Sequence, residues 1–395
     1  NIKPAPRCSR KLKLTPSLKK SMHSSPPRFF RRILCPLIGG LLFASSALSA
    51  LPSELPRLPE IELPTDTFTL AEPIRIIDAN KNPQLLVGMD QGQLRLSFPN
   101  MPGAEAIVPV DGKDMMVMVE LPSDYNRLLN DFQLGQYGLF LSAMKETAEP
   151  LAGFLSIPVA QTNFHGIFSR YYEALALAGE IEDAVALSLR MPWQILPPEY
   201  LTLGERLVAR SIEAQQFDQT RQLLALFYQS LPEADFSDMA FRLADALRTQ
   251  GEHELAAQVY GSLSQSNDSV LQQKSLLWAG YSRAVAGDAT GARQILDEVQ
   301  ALQRGDENFL TYCLALGRLG YADNNIREGL RYLSRAMVLT AVDATFKPEL
   351  YYLLTLGYQQ SGNIEASDRL AREFSIFYPE NPWLQKYQEE SGNTL

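Results

Sequence analysis

From residue 164 onward, apolar side chains recur at three- and four-residue spacing, the period of an amphipathic helix. The helical segments break at a regular interval. Six times a helix ends at a turn residue, Gly179, Gln215, Gly251, Gly287, Asn324 or Gly362, and a second helix begins; the spacings are 36, 36, 36, 37 and 38. Gly and Asn tolerate the left-handed backbone that closes a helix, so their recurrence has a steric reason. Seven residues before each turn stand Tyr172, Val208, Ala244, Gly280, Gly317 and Thr355; five after it stand Ala184, Thr220, Ala256, Ala292, Gly329 and Ser367. Most are small, as two antiparallel helices require where their backbones come closest. Leu207, Leu243, Leu316 and Leu354 flank the first set, and Leu224, Tyr260, Leu296 and Leu333 the second.

Upstream the period changes. Short apolar runs, Ile74–Ile77, Leu85–Val87, Leu94–Phe98, Ala106–Val110 and Met115–Leu121, are separated by Asn80-Lys81-Asn82-Pro83, Asp90-Gln91-Gly92, Pro99 to Gly103 and Asp111-Gly112. Leu94, Leu96 and Phe98 alternate with Arg95 and Ser97, the period of a half-buried strand. About five strands are predicted over residues 66–122, arranged as a small barrel or sheet. Ser123 and Asp124 then introduce a linking helical hairpin over 123–160. Proline follows the same division: 18 of the 25 lie in residues 1–163, and proline is excluded from helix interiors.

The repeated unit, best seen in Leu243-Ala244, Leu247, Gly251, Ala256 and Tyr260, resembles the tetratricopeptide repeat; the last runs from Tyr351 to Pro379. The family period is 34, so these units are longer, and the family's early tryptophan is replaced by Phe168, Gly204, Ala240, Leu276, Cys313 and Tyr351. The resemblance implies a mainly α chain. It would be a right-handed α-solenoid of about six hairpins over 161–395, following the small β-rich domain. It also implies a protein- or peptide-binding scaffold whose first helices line a concave face. On that face the expected partner-binding residues are Arg206, Arg242, Asp245, Lys274, Trp278, Tyr281, Arg318 and Tyr352, since Arg and aromatic side chains make good interface anchors.

Charge divides the chain again. Ten of the 36 Lys and Arg residues and none of the 45 acids fall in residues 1–50, leaving 26 basic against 45 acidic side chains, a net of −19, in residues 51–395. Such acidity repels phosphate backbones and argues against nucleic-acid binding. Arg28, Arg31 and Arg32, the apolar run Ile33–Ala44 and the small residues to Ala50 have the form of a secretory signal peptide over 22–50. Residues 1–21 then read as upstream translation or a mis-called start before Met22, and 51–65, with four prolines, as an extended linker. The expected location is the periplasm or envelope of a diderm bacterium, with no integral membrane segment after cleavage.

Candidate chemistry is sparse. Residues 51–395 hold two histidines, His165 and His253, and one cysteine, Cys313. No zinc spacing, nucleophile elbow or phosphate loop is present. His165 reads as a packing residue, His253 as a solvated turn residue and Cys313 as a small buried hydrophobe. The acids Glu180, Glu182 and Asp183 stand where a helix dipole favours them. No cofactor or metal is expected, and the expected class is a non-catalytic scaffold. The alternative is an accessory of envelope polysaccharide or peptidoglycan assembly that binds a glycan or its synthase, with Asp245, Trp278 and Tyr281 as the only group suited to sugar. An enzyme site in the β-rich region is a third reading, disfavoured because residues 66–160 lack histidine and cysteine.

Overall fold

Alternation in the first part of the chain produces five antiparallel strands: β1 (Phe68–Ile77), β2 (Pro83–Asp90), β3 (Gln93–Phe98), β4 (Met101–Pro109) and β5 (Met118–Val119). The computed structural model describes residues 55–110, 116–340 and 346–391. The leader and the start-site reading, residues 1–50, therefore lie outside the described residues. The strands form one sheet in the order β4-β3-β2-β1-β5. β4 and β5 do not pair with each other, so the described strands make an open sheet rather than a barrel. Met101, Pro102 and Gly103, placed in a breaker by their composition, belong to β4, and the turn before it is Pro99-Asn100.

The register slips in three of the sheet's pairings, β1 with β2, β2 with β3 and β3 with β4. The pairing of β1 with β2 slips between Thr69 and Ile74, around Pro73, which has no amide to donate. Gly88 on β2 lies under this bulge, where a Cβ would sit 2.2 Å from the Phe68 carbonyl oxygen. Ile76, Leu86, Leu94, Leu96 and Val119 form the buried face. Phe68 meets Phe154 edge-on at 5.0 Å, and through it the helices.

The rest of the described chain is helical. After α1 (Tyr125–Gln133) and α2 (Tyr137–Ala148) come α3 (Phe164–Ala178), α4 (Ile181–Ser188), α5 (Pro198–Glu213), α6 (Phe217–Ser230), α7 (Glu233–Thr249) and α8 (His253–Leu263). There follow α9 (Ser269–Val285), α10 (Ala289–Asp297), α11 (Phe309–Ala322), α12 (Ile326–Leu339), α13 (Lys347–Gln360), α14 (Ile364–Phe377) and α15 (Pro382–Ser391). All six turn residues identified from sequence have positive φ: 82° at Gly179, 57° at Gln215, 88° at Gly251, 90° at Gly287, 58° at Asn324 and 79° at Gly362. At each, one helix ends and the next begins two residues on.

The small positions do what their size allows. Gly317 on α11 faces Leu333 on α12, which a Cβ would approach to 2.5 Å, and Gly320 lies against the Gly329 backbone, whose nitrogen a Cβ would meet at 2.6 Å. Where the small residue is polar, its hydroxyl is satisfied locally: Ser211 and Thr220 share a hydrogen bond of 2.8 Å, and Ser367 donates to the Thr355 carbonyl. Successive first helices α3, α5 and α7 pack on one another, as do the second helices α4, α6 and α8. One apolar core runs from Leu55 to Tyr387.

Asn163 joins sheet and helices. Its side-chain amide accepts from the Val119 N–H at 2.9 Å and donates to the Val119 carbonyl at 3.0 Å, imitating one rung of a strand beside β5. The segment before β1 also joins the body: residues 55–61 have no regular secondary structure and bond to α6 and α8, with Leu55 and Leu58 buried.

Candidate functional site

The eight residues singled out as partner-binding fall into two places. Arg206, Arg242 and Lys274 form an outer ladder, each reaching back to the preceding first helix. Arg206 on α5 donates to Glu173 on α3 at 3.0 Å. Arg242 on α7 donates to Glu205 on α5 through Nε at 3.0 Å and Nη2 at 2.8 Å. Lys274 on α9 sits 4.0 Å above the Phe241 ring on α7. Both arginine side chains are about three-fifths exposed. Ion pairs so exposed each contribute roughly 0–1 kcal/mol, so the fold does not depend on them and they are free to exchange partners.

Beside the first rung lies a groove of about 370 Å³ between α3 and α5. Ala176, Leu177, Leu203 and Ala209 make it apolar, while Glu173, Arg206, Arg210 and Glu213 supply charge of both signs. An apolar floor with a charged rim suits a peptide or helix edge.

The second group is interior except for Asp245, whose side chain is 44% exposed. Trp278, Tyr281 and Tyr352 are 7%, 0% and 5% exposed, and the Arg318 side chain is 11% exposed. Arg318 on α11 pairs with Glu349 in the first turn of α13, Nε at 2.9 Å and Nη2 at 2.7 Å from the same carboxylate oxygen. Glu349 is 1% exposed and also accepts from the Tyr281 hydroxyl at 2.5 Å. Burial, reinforced by Glu349, pushes the Tyr281 hydroxyl well above its ordinary value, so it remains a donor. Burial also disfavours the charge on Arg318, but the Glu349 carboxylate offsets this and holds it cationic.

Around the pair, Arg248 lies 4.5 Å over Trp278, and Arg318 lies 5.4 Å from the Trp383 ring. Tyr352 donates to Glu390 at 2.8 Å and packs against Trp383. Helix α15 supplies Trp383, Lys386 and Glu390, and closes this end of the first-helix layer. Asp245 accepts from the Tyr260 hydroxyl at 2.7 Å and faces Arg248. Neither it nor the two aromatics forms an open platform for a sugar ring.

His253 differs from its reading as a solvated turn residue. It begins α8, half-buried, with its ring 6.3 Å from that of Tyr281. Burial first, then the nearby Arg318, lowers its pKa to about 4. Its neighbours Tyr281, Arg318 and Arg248 come from other helices, which its flanking Glu252 and Glu254 did not reveal. Arg248, Glu349, Trp383 and Lys386 were also missed. Each is an ordinary polar or aromatic position on its own helix, and only the packing of α7, α9, α11, α13 and α15 unites them.

The remaining candidates are internal. His165 is buried, with Nε2 2.8 Å from the Ile157 carbonyl and Nδ1 3.2 Å from the Tyr200 hydroxyl. A carbonyl can only accept, so Nε2 donates to it, and the Tyr200 hydroxyl also donates to the His165 carbonyl at 3.3 Å. Cys313 is fully buried, and burial raises its thiol to about 11. Among the described residues, no group of three or more His, Cys, Asp or Glu side chains is placed to hold a metal ion. No helix among them is long and apolar enough to cross a membrane. A scan against protein-family models finds no match for the chain, and a search of curated proteins finds none.

Proposed function

We propose that the chain is an exported, non-catalytic scaffold of the diderm envelope, binding a protein or peptide partner along the first helices of a right-handed, tetratricopeptide-like solenoid of about six hairpins. The observation that carries this reading is the outer ladder. Arg206 and Arg242, at equivalent places in successive units, are held by exposed ion pairs, and Arg206 borders an apolar groove. The six left-handed corners support the repeat count. The buried state of Trp278 and Tyr281 removes the support that a glycan-binding reading drew from them.

A photo-crosslinking amino acid at Leu177 or Leu203, introduced into the exported protein, tests this. A discrete adduct should form in cells, and should be lost in Arg206→Glu/Arg242→Glu while surviving in an Arg327→Glu control on α12. No adduct from either position, or an adduct indifferent to the double reversal, refutes the placement.

A further inference from the structure

Residues 55–61 read Leu-Pro-Arg-Leu-Pro-Glu-Ile, with an apolar residue at every third position. Three residues per turn is the period of the polyproline II helix, so Leu55, Leu58 and Ile61 share one edge. That edge is the one turned inward: Leu55 and Leu58 are buried and Ile61 half-buried, while Arg57, Pro59 and Glu60 are exposed. The helices are fitted to it. On α8, Gly261 lets the Pro56 carbonyl approach so closely that a Cβ would lie 1.9 Å from its oxygen. The next side chain, Ser262, accepts from the Leu58 N–H at 3.0 Å while donating to Gln258 on its own helix. On α6, Gln229 donates to the Pro59 carbonyl at 3.1 Å and accepts from the Ile61 N–H at 3.3 Å.

Apart from the exposed bond from Arg57 to Gln265, every hydrogen bond to this segment among the described residues is to its main chain. The groove therefore reads an extended backbone with a three-residue apolar period, and a different segment of that form satisfies it equally. It is also larger than its occupant. A cavity of about 360 Å³ shares Gln229, Ser262 and Gln265 with the segment's site and continues past Tyr228 and Phe236.

We propose that the α6–α8 groove is a docking site for a leucine- and proline-rich polyproline II segment of a partner protein, with residues 55–61 as the built-in competitor. The site is on the second helices, separate from the ladder, and does not depend on it. A tethered competitor has an effective concentration in the millimolar range, so a partner must bind more tightly or bring contacts in the adjoining cavity.

The test uses the full chain and a labelled synthetic peptide of residues 51–63. Leu55→Asp/Leu58→Asp empties the groove without altering it. The peptide should bind this variant at least tenfold more tightly than the unaltered chain, and adding Gly261→Ala should abolish binding. Absence of binding to a variant of native circular dichroism overturns the proposal, as does binding indifferent to Gly261→Ala. A second measurement needs no variant. Unlabelled peptide at millimolar concentration should speed hydrogen exchange at the chain's own Leu58 amide, and unchanged exchange there shows a permanent strap and refutes the exchange.

Discussion

Replacing Arg318 by Met keeps the volume near Tyr281 and Trp383 but leaves the Glu349 carboxylate, 1% exposed, with the Tyr281 hydroxyl as its remaining hydrogen-bond partner among those described. Removing one partner of a buried ion pair costs about 3–5 kcal/mol, because the other charge stays desolvated. The upper part of that range applies to Glu349; Arg318 is slightly more open and lies against the rings of Tyr281 and Trp383, so Glu349→Gln should cost less, about 2–3 kcal/mol. The double variant has no uncompensated charge and keeps a hydrogen bond to Tyr281. It should therefore lose only about 1–2 kcal/mol, giving a coupling of several kcal/mol in the double-mutant cycle. Urea unfolding followed by tryptophan fluorescence is the assay, since Trp383 flanks the pair and Trp278 stands beside Arg248. Additive single losses would mean that the two charges are independently solvated, and the buried pair described above would be wrong.

Three further outcomes follow from the same geometry. His253 has a folded-state pKa near 4 against an ordinary 6.5, so between those values the unfolded chain takes up a proton that the folded chain refuses. Stability should fall as pH drops from 6.5 toward 4, by up to about 3 kcal/mol, and His253→Gln should flatten that part of the profile; an unchanged profile refutes it. Gly320→Ala should destabilise by about 1–3 kcal/mol, because its methyl meets the Gly329 backbone. Gly138→Ala, at an exposed position of α2 with nothing within 4 Å, should be neutral or stabilise by up to ~1 kcal/mol; denaturation midpoints of the same sign would refute the contrast. Gln215→Gly, at φ 57°, should stabilise by about 1 kcal/mol in thermal unfolding by relieving a left-handed backbone.

The corners and crossings were legible because they are local. A left-handed φ and a close helix approach restrict residue size at a fixed offset, so Gly179 to Gly362 and Gly317 with Gly329 could be picked out from spacing. The strands were legible in position but not in closure, which depends on whether β4 meets β5. Candidate site residues were legible only as first-helix positions. Arg206 and Arg242 stay outside, whereas Tyr281 and Arg318 go in, because α13 brings Glu349 to them and α15 brings Trp383. Periodicity reports which face of a helix is apolar, not which distant helix will cover it. The groove for residues 55–61 was invisible for the same reason: Gln229, Gly261 and Ser262 are unremarkable within their own helices.

That separation has a kinetic consequence. Arg57 and its partner Gln265 lie 208 positions apart, while most other contacts join neighbouring units. During synthesis at about 5–20 residues per second, the Leu-Pro segment emerges roughly 10–40 s before its groove exists. For that interval Leu55, Leu58 and Ile61 are uncovered on the growing chain. The segment made first among the described residues thus finds its place only once α8 has been made, and any factor that binds leucine-rich peptide meets it before the protein's own helices do.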